Sequence, residues 1–179
     1  MPRISHHREP KGAREVARHY IRDLVYGAND GIITTFAVVA GVTGGALSPR
    51  AIIVVGVANL LADGLSMGVG NYLAIRSDES AREAAGLPEQ EGNPARHGAM
   101  TFLAFATAGA IPMLPYFLGF GGFVACIALT LLALFTVGAL RSAVTLDRWW
   151  RAGMEMLALG VVVAAAAYYS AAAAAWLLA

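Results

Sequence analysis

Of 179 residues, 58% are hydrophobic and only 14% charged, well below the quarter or so of charged residues in an ordinary soluble domain. A formal net charge of +1 gives no bulk attraction for nucleic acid, and the single Cys126 excludes an intrachain disulfide. The proportions describe an all-α membrane protein whose solvent is the lipid bilayer.

Residues 1–15 form a polar tail of mixed charge with no apolar core before a small-residue site, so no cleavable signal peptide is expected and the first apolar segment stays in the mature protein. His6 and His7 in this tail read as solvated side chains. From Val16 to Tyr26, Val16, Tyr20 and Leu24 alternate with Arg14, Arg18 and Arg22, the pattern of an amphipathic helix lying on the membrane surface and running directly into the first span. Residues 1–27 are therefore tail and surface helix, and residues 28–178 the membrane domain.

The first span is expected over residues 28–47. Asp30, Thr34, Gly41 and Gly45 share one of its faces, which grades from a carboxylate into small residues suited to packing against a second helix. A helix N-cap is the competing role for Asp30. Ser48-Pro49-Arg50 predicts a tight turn into a second span over 51–75, where Asn59, Asp63, Met67 and Asn71 recur every four residues and form one polar stripe. Ionisable residues at membrane depth are costly unless paired or hydrated, which makes an ion pathway the default reading. Counting outward from a turn centred between Ser48 and Pro49, at 1.5 Å per residue, levels Asp30 with Met67 and Thr34 with Asp63, about 25 Å from the turn.

Residues 77–97 break the hydrophobicity and read as a short solvated linker, with Gly86, Pro88, Gly92 and Pro94 stopping any longer helix. A third span over 99–118 contains Pro112 and Pro115, which should kink it near its end. Phe120-Gly121-Gly122 forms a minimal turn into a fourth span over 123–140, which reads as packing. The fifth, over 152–178, has Trp149, Trp150 and Trp176 at its two ends, as interfacial belts require. Glu155 is its one carboxylate, with a role in ion-pairing to Arg151 or in binding. Of the 13 Lys and Arg residues, 12 fall on the side of the N-terminus and 1 on the other, so the N-terminus is expected in the cytosol and the C-terminus outside.

Oxygen donors from Asp30, Asp63, Asn59 and Asn71, joined by the Met67 thioether, suit a softer divalent ion better than Mg²⁺ or Ca²⁺. Fe²⁺ fits, with Mn²⁺ and Co²⁺ left open. One chain is poor in donors for a whole path, and a homodimer packed through Gly41 and Gly45 would double them. Carboxylates brought together cannot both stay charged cheaply without a cation, so protons compete with metal and antiport has a physical basis. Thr34 and Glu155 are candidates for proton coupling or for structure. The competing reading is a membrane scaffold whose carboxylates are buried structural groups. An intramembrane enzyme finds no Ser/His pair or HExxH-type motif in the spans.

The run Asp30-Gly31-Ile32-Ile33-Thr34-Thr35-Phe36-Ala37-Val38-Val39-Ala40-Gly41, followed by Ala58-Asn59-Leu60-Leu61-Ala62-Asp63-Gly64-Leu65-Ser66-Met67-Gly68-Val69-Gly70-Asn71-Tyr72-Leu73, resembles the vacuolar iron transporter family. Gly138-Ala139-Leu140-Arg141 and Gly153-Met154-Glu155-Met156-Leu157 are similar to its last two spans. The resemblance implies a five-span homodimer that exports Fe²⁺, and often Mn²⁺, from the cytosol in exchange for protons, along a pathway between protomers and with no permanently bound cofactor. It places the family's intramembrane aspartate on Asp30 and its methionine on Met67. Two features depart from it: residues 77–97 stand where members carry a long glutamate-rich cytoplasmic domain, and Asn71 stands where an acidic residue is frequent. A short chain of this kind is expected in a prokaryotic inner membrane.

Overall fold

The computed structural model describes residues 12–120 and 122–178. The tail before Gly12, with His6 and His7, and Gly121 of the Phe120-Gly121-Gly122 turn lie outside the described residues. Among those described, every regular element is helical: α1 (Ala13–His19), α2 (Ile21–Gly44), α3 (Pro49–Ala84), α4 (Pro94–Gly109), a 3₁₀ turn at Ile111–Met113, α5 (Leu114–Leu118), α6 (Gly122–Arg141) and α7 (Trp149–Leu178). Five helical segments are long and apolar enough to cross a bilayer: α2, α3, the α4–α5 unit, α6 and α7.

α1 and the first span are divided only at Tyr20, whose φ of −96° and ψ of 10° depart from helical values, while its N–H still donates to Val16 O at 3.0 Å and its carbonyl accepts from Leu24 N at 2.9 Å. Because α2 begins at Ile21, Asp30 lies well inside it and is not a helix N-cap. Pro49 opens α3 behind the Ser48 cap, whose hydroxyl accepts from Ala51 N at 3.4 Å, and Pro94 opens α4 behind Asn93, whose side chain accepts from Arg96 N at 3.2 Å. Proline suits the first turn, where its missing N–H costs nothing. α3 continues past the expected end at residue 75 because residues 76–84 are polar but hold no helix breaker; the first comes at Gly86, whose φ of +70° favours glycine. The third span bends where predicted, as Pro112 and Pro115 replace α-helix with a 3₁₀ turn and a single short helix.

α2 is the element on which the bundle is assembled, since it packs on α3, α4, α6 and α7. Its interface with α4 is the most extensive between any two helices, followed by that of α3 with α4. Glycine makes both approaches possible. A Cβ at Gly27 or Gly31 of α2 would stand 2.4 Å from the carbonyl oxygens of Thr101 and Phe105, and one at Gly68 of α3 would stand 2.8 Å from Gly98 O. α6 and α7 pack on each other and on α2, and Gly138 and Gly153 serve the same purpose between them. Ile32, Val39, Phe105, Met113 and Leu134 fill the interior. Leu61, Leu65, Val69 and Leu73 on α3 and most of α7 face outward, as apolar residues of a lipid-bathed bundle do. Trp149, Trp150 and Trp176 are exposed at the ends of α7, in the positions interfacial belts require.

Candidate functional site

The polar stripe of α3 runs along the flank that faces α2. Its buried face is Gly56, Gly64 and Gly68, pressed against Met113, Phe102 and Phe105, while Asn59, Asp63, Met67 and Asn71 lie beside that face and are half-buried. Across from them, the Thr34 hydroxyl donates to the Asp30 carboxylate, and Asp63 is within electrostatic reach of Asp30. Fourteen steps back from Gly44 along α2 reach Asp30, and fourteen forward from Pro49 along α3 reach Asp63. The expected layers, Asp30 with Met67 and Thr34 with Asp63, are therefore shifted by one helical turn. The cause is the connection: α2 stops at Gly44, so the turn is centred near Ala46 rather than at Ser48-Pro49. Met67 sits one turn beyond Asp63, about 6 Å further along α3.

Each end of the stripe has its own surroundings. At one end the Asn59 amide nitrogen is buried without a partner. At the other, Asn71 Nδ2 donates to Asp23 Oδ1 and to Thr101 Oγ1, both at 2.8 Å. Asp23 Oδ2 meets His97 Nδ1 at 2.5 Å, and Thr101 donates to His97 O at 3.0 Å. Asp23, His97 and Thr101 are almost wholly buried. On its outer side His97 Nε2 faces Glu91 Oε2 at 3.2 Å, and His19 Nε2 approaches the same oxygen at 3.5 Å.

This network draws on α1, α2, α3, α4 and the segment between α3 and α4, and sequence reasoning missed most of it. His97 and Glu91 fall in the stretch assigned to a solvated linker, and Asp23 in a run of arginines. The linker is instead anchored: buried Glu79 accepts from the backbone N–H groups of Gln90 at 2.9 Å and Glu91 at 2.7 Å, and Arg82 donates to Pro88 O at 3.0 Å. One signal was available. Asn93-Pro94 announces a helix start, which makes His97 part of the third span's first turn.

The other candidates are placed as follows. Glu155 is exposed and pairs at 2.9 Å with Arg141 at the end of α6, rather than with Arg151, whose guanidinium stacks over Trp150. A Cβ at Gly41 would meet only Ala171 of α7, at 3.9 Å, and Gly45 caps α2. The close intrachain contacts of α2 are made by Gly27, Gly31 and Gly44.

Five helices long and apolar enough to cross a bilayer, two of them carrying a half-buried polar stripe, define a polytopic membrane protein. The model of the VIT family matches residues 21–87 and 78–172, and the chain belongs to that family. It is similar to vacuolar iron transporter 1 of Arabidopsis thaliana, 26% identical over a 219-residue alignment covering 89% of this chain and 86% of that protein. A shorter segment is 45% identical to the vacuolar iron transporter of Toxoplasma gondii over 65 residues, 36% of this chain and 22% of that protein. Another is 39% identical to vacuolar iron transporter 1 of Eucalyptus grandis over 75 residues, 41% of this chain and 30% of that protein. With the family established, the intramembrane-enzyme reading is set aside. These vacuolar names lend no support to a prokaryotic inner membrane.

Proposed function

We propose that this chain moves divalent transition-metal ions, Fe²⁺ first and Mn²⁺ as a second substrate, out of the cytosol in exchange for protons. What supports the reading is the placement of the Asp30 and Asp63 carboxylates, each fourteen residues from the near end of one of two successive apolar helices and within electrostatic reach of the other. Such a pair is costly when both members are charged, and either a proton or a metal ion relieves the cost. Exchange of one for the other is the elementary event of an antiporter. Met67, a turn further along the same flank, adds a thioether that favours softer ions, and Asn59 and Asn71 border the path. The names of the relatives, vacuolar iron transporters, agree with iron as the cargo.

Asp30, Thr34, Asn59, Asp63 and Met67 are only half-buried in one chain, and lipid is a poor cover for them. A second copy related by a twofold axis supplies both cover and a second donor set, with Gly41 and Gly45 as the packing surface. By charge asymmetry the N-terminus and the α3–α4 connection face the cytosol. Fe²⁺ and Mn²⁺ uptake into proteoliposomes, with and without an imposed proton gradient, tests the proposal. Uptake should require the gradient and fall to background in Asp30→Ala and Met67→Ala; uptake unchanged in both variants, or absent from the unaltered protein, points instead to a scaffold.

A further inference from the structure

We propose that His19, Glu91 and His97 form a second divalent transition-metal site, outside the intramembrane stripe, at the end of the bundle where α1 and the α3–α4 connection meet. Their donor atoms all lie within 4.8 Å of one another. Glu91 Oε2 stands 3.2 Å from His97 Nε2 and 3.5 Å from His19 Nε2. Ligands bound at about 2.1 Å in a tetrahedral site stand about 3.4 Å apart, so the two carboxylate–imidazole edges already have the spacing of such a site, and the edge between the two imidazoles is within 4.8 Å. The fourth corner is left for water or another ligand.

The surroundings of His97 fix which of its nitrogens is offered. In the tautomer whose Nδ1–H donates to Asp23 Oδ2, 2.5 Å away, Nε2 carries the lone pair on the side of Glu91, the form in which the ring ligates a metal. Asp23 is itself held by Asn71 through its other oxygen, and both it and His97 are 2% exposed. A carboxylate that orients a ligating histidine through its far nitrogen is the usual support of a metal-bound imidazole. Glu91 is held from behind, since its backbone N–H donates to buried Glu79 at 2.7 Å. His19 and Glu91 keep partial access to solvent, with side chains 23% and 25% exposed, so an ion has a way in. Two imidazoles and one carboxylate select Fe²⁺, Co²⁺, Ni²⁺ or Zn²⁺ over Mg²⁺ and Ca²⁺. Asp23 precedes Asp30 by seven residues on α2, roughly 10 Å along the helix, so the site sits at the end of the stripe without being part of it. It stands whether or not the stripe carries metal.

The test uses the full-length protein in detergent, stripped of metal and carrying Asp30→Ala, Asp63→Ala and Met67→Ala so that the stripe contributes no charged or thioether ligand. Titration with Co²⁺ should show about one ion per chain, with the intense visible absorption of a four-coordinate nitrogen and oxygen site; Zn²⁺ should displace it and excess Mg²⁺ should not. Adding His19→Ala or Glu91→Ala, both at partly exposed positions, should weaken binding at least about tenfold. Asp23→Asn should weaken it by about 10- to 100-fold, as loss of an orienting partner does. Co²⁺ binding that survives both His19→Ala and Glu91→Ala, or that has already vanished with Asp30, Asp63 and Met67, overturns the proposal. Failure of transport with this Co²⁺ site intact would overturn only the transporter reading.

Discussion

The backbone contact of Gly31 with α4 gives the sharpest test of how the site is held. Replacing Gly31 by alanine puts a Cβ 2.4 Å from the Phe105 carbonyl oxygen, with the rest of that peptide at 3.0 Å. An unstrained carbon–oxygen contact needs about 3.3 Å or more, so α2 must move from α4 by about 1 Å, and the obstacle is backbone that no rotamer change can clear. Overpacking of this kind costs about 1–3 kcal/mol, against which alanine returns up to about 1 kcal/mol of helix propensity. Gly41→Ala on the same helix is the control within one chain, because its Cβ meets only Ala171 at an ordinary 3.9 Å; as Gly41 is also a proposed dimer-packing position, the two variants are compared as monomers. Unfolding in detergent micelles, followed by tryptophan fluorescence, should place Gly31→Ala below the unaltered protein and Gly41→Ala at or above it. Metal flux should fall with Gly31→Ala too, since α4 spaces α2 from α3 and thereby Asp30 from Asp63. Gly31→Ala as stable as Gly41→Ala would refute the claim that this backbone contact sets the spacing.

Other outcomes follow from single contacts. Glu79→Ala orphans the N–H groups of Gln90 and Glu91, at about 1–3 kcal/mol for each that stays buried; hydrogen exchange should quicken over residues 86–93 and stay unchanged in α6. Glu155→Gln breaks a pair whose carboxylate is 61% exposed, so unfolding should shift by no more than about 1 kcal/mol. In a Cys126→Ala background, a cysteine at position 80 should be labelled from the cytosolic side and one at position 48 from the opposite side; the reverse would overturn the orientation drawn from the arginines.

The spans were legible because a membrane crossing is written in composition: runs of twenty apolar residues, bounded by Pro, Gly or charge, mark all five. What composition hides is the end of a helix that continues as a polar one. Residues 77–84 have the hydropathy of a loop but the propensity of a helix, and α3 keeps them. The register of α2 against α3 failed for a related reason. Ser48-Pro49 marks the start of α3 and Gly44-Gly45, a helix-stopping pair, marks the end of α2; centring the turn on Ser48-Pro49 alone misplaced it by two residues and displaced every layer by one helical turn. Harder still was the buried cluster at the bundle's end. Asp23 on α2 and His97 on α4 are 74 residues apart, and no local periodicity reports a pairing between two helices so distant in the chain.

The stripe itself was legible from its spacing, but spacing gave its four members equal standing, and the structure separates them. Asn71 is spent on Asp23 and Thr101, so its amide is structural. The Asn59 nitrogen is buried with no partner, and a native protein rarely leaves such a group without a use. Leucine at the two positions should therefore act in opposite ways. Asn71→Leu removes a hydrogen bond to a buried carboxylate, worth about 1.5–3 kcal/mol, and should lower the unfolding midpoint. Asn59→Leu removes an unsatisfied amide, which is near neutral or stabilising for the fold, and should reduce metal flux if that amide borders the ion path beside Asp63. Thermal unfolding and proteoliposome uptake on the same preparations separate the two effects. Asn59→Leu with full uptake would end the ion path short of Asn59 and confine it to Asp30, Asp63 and Met67.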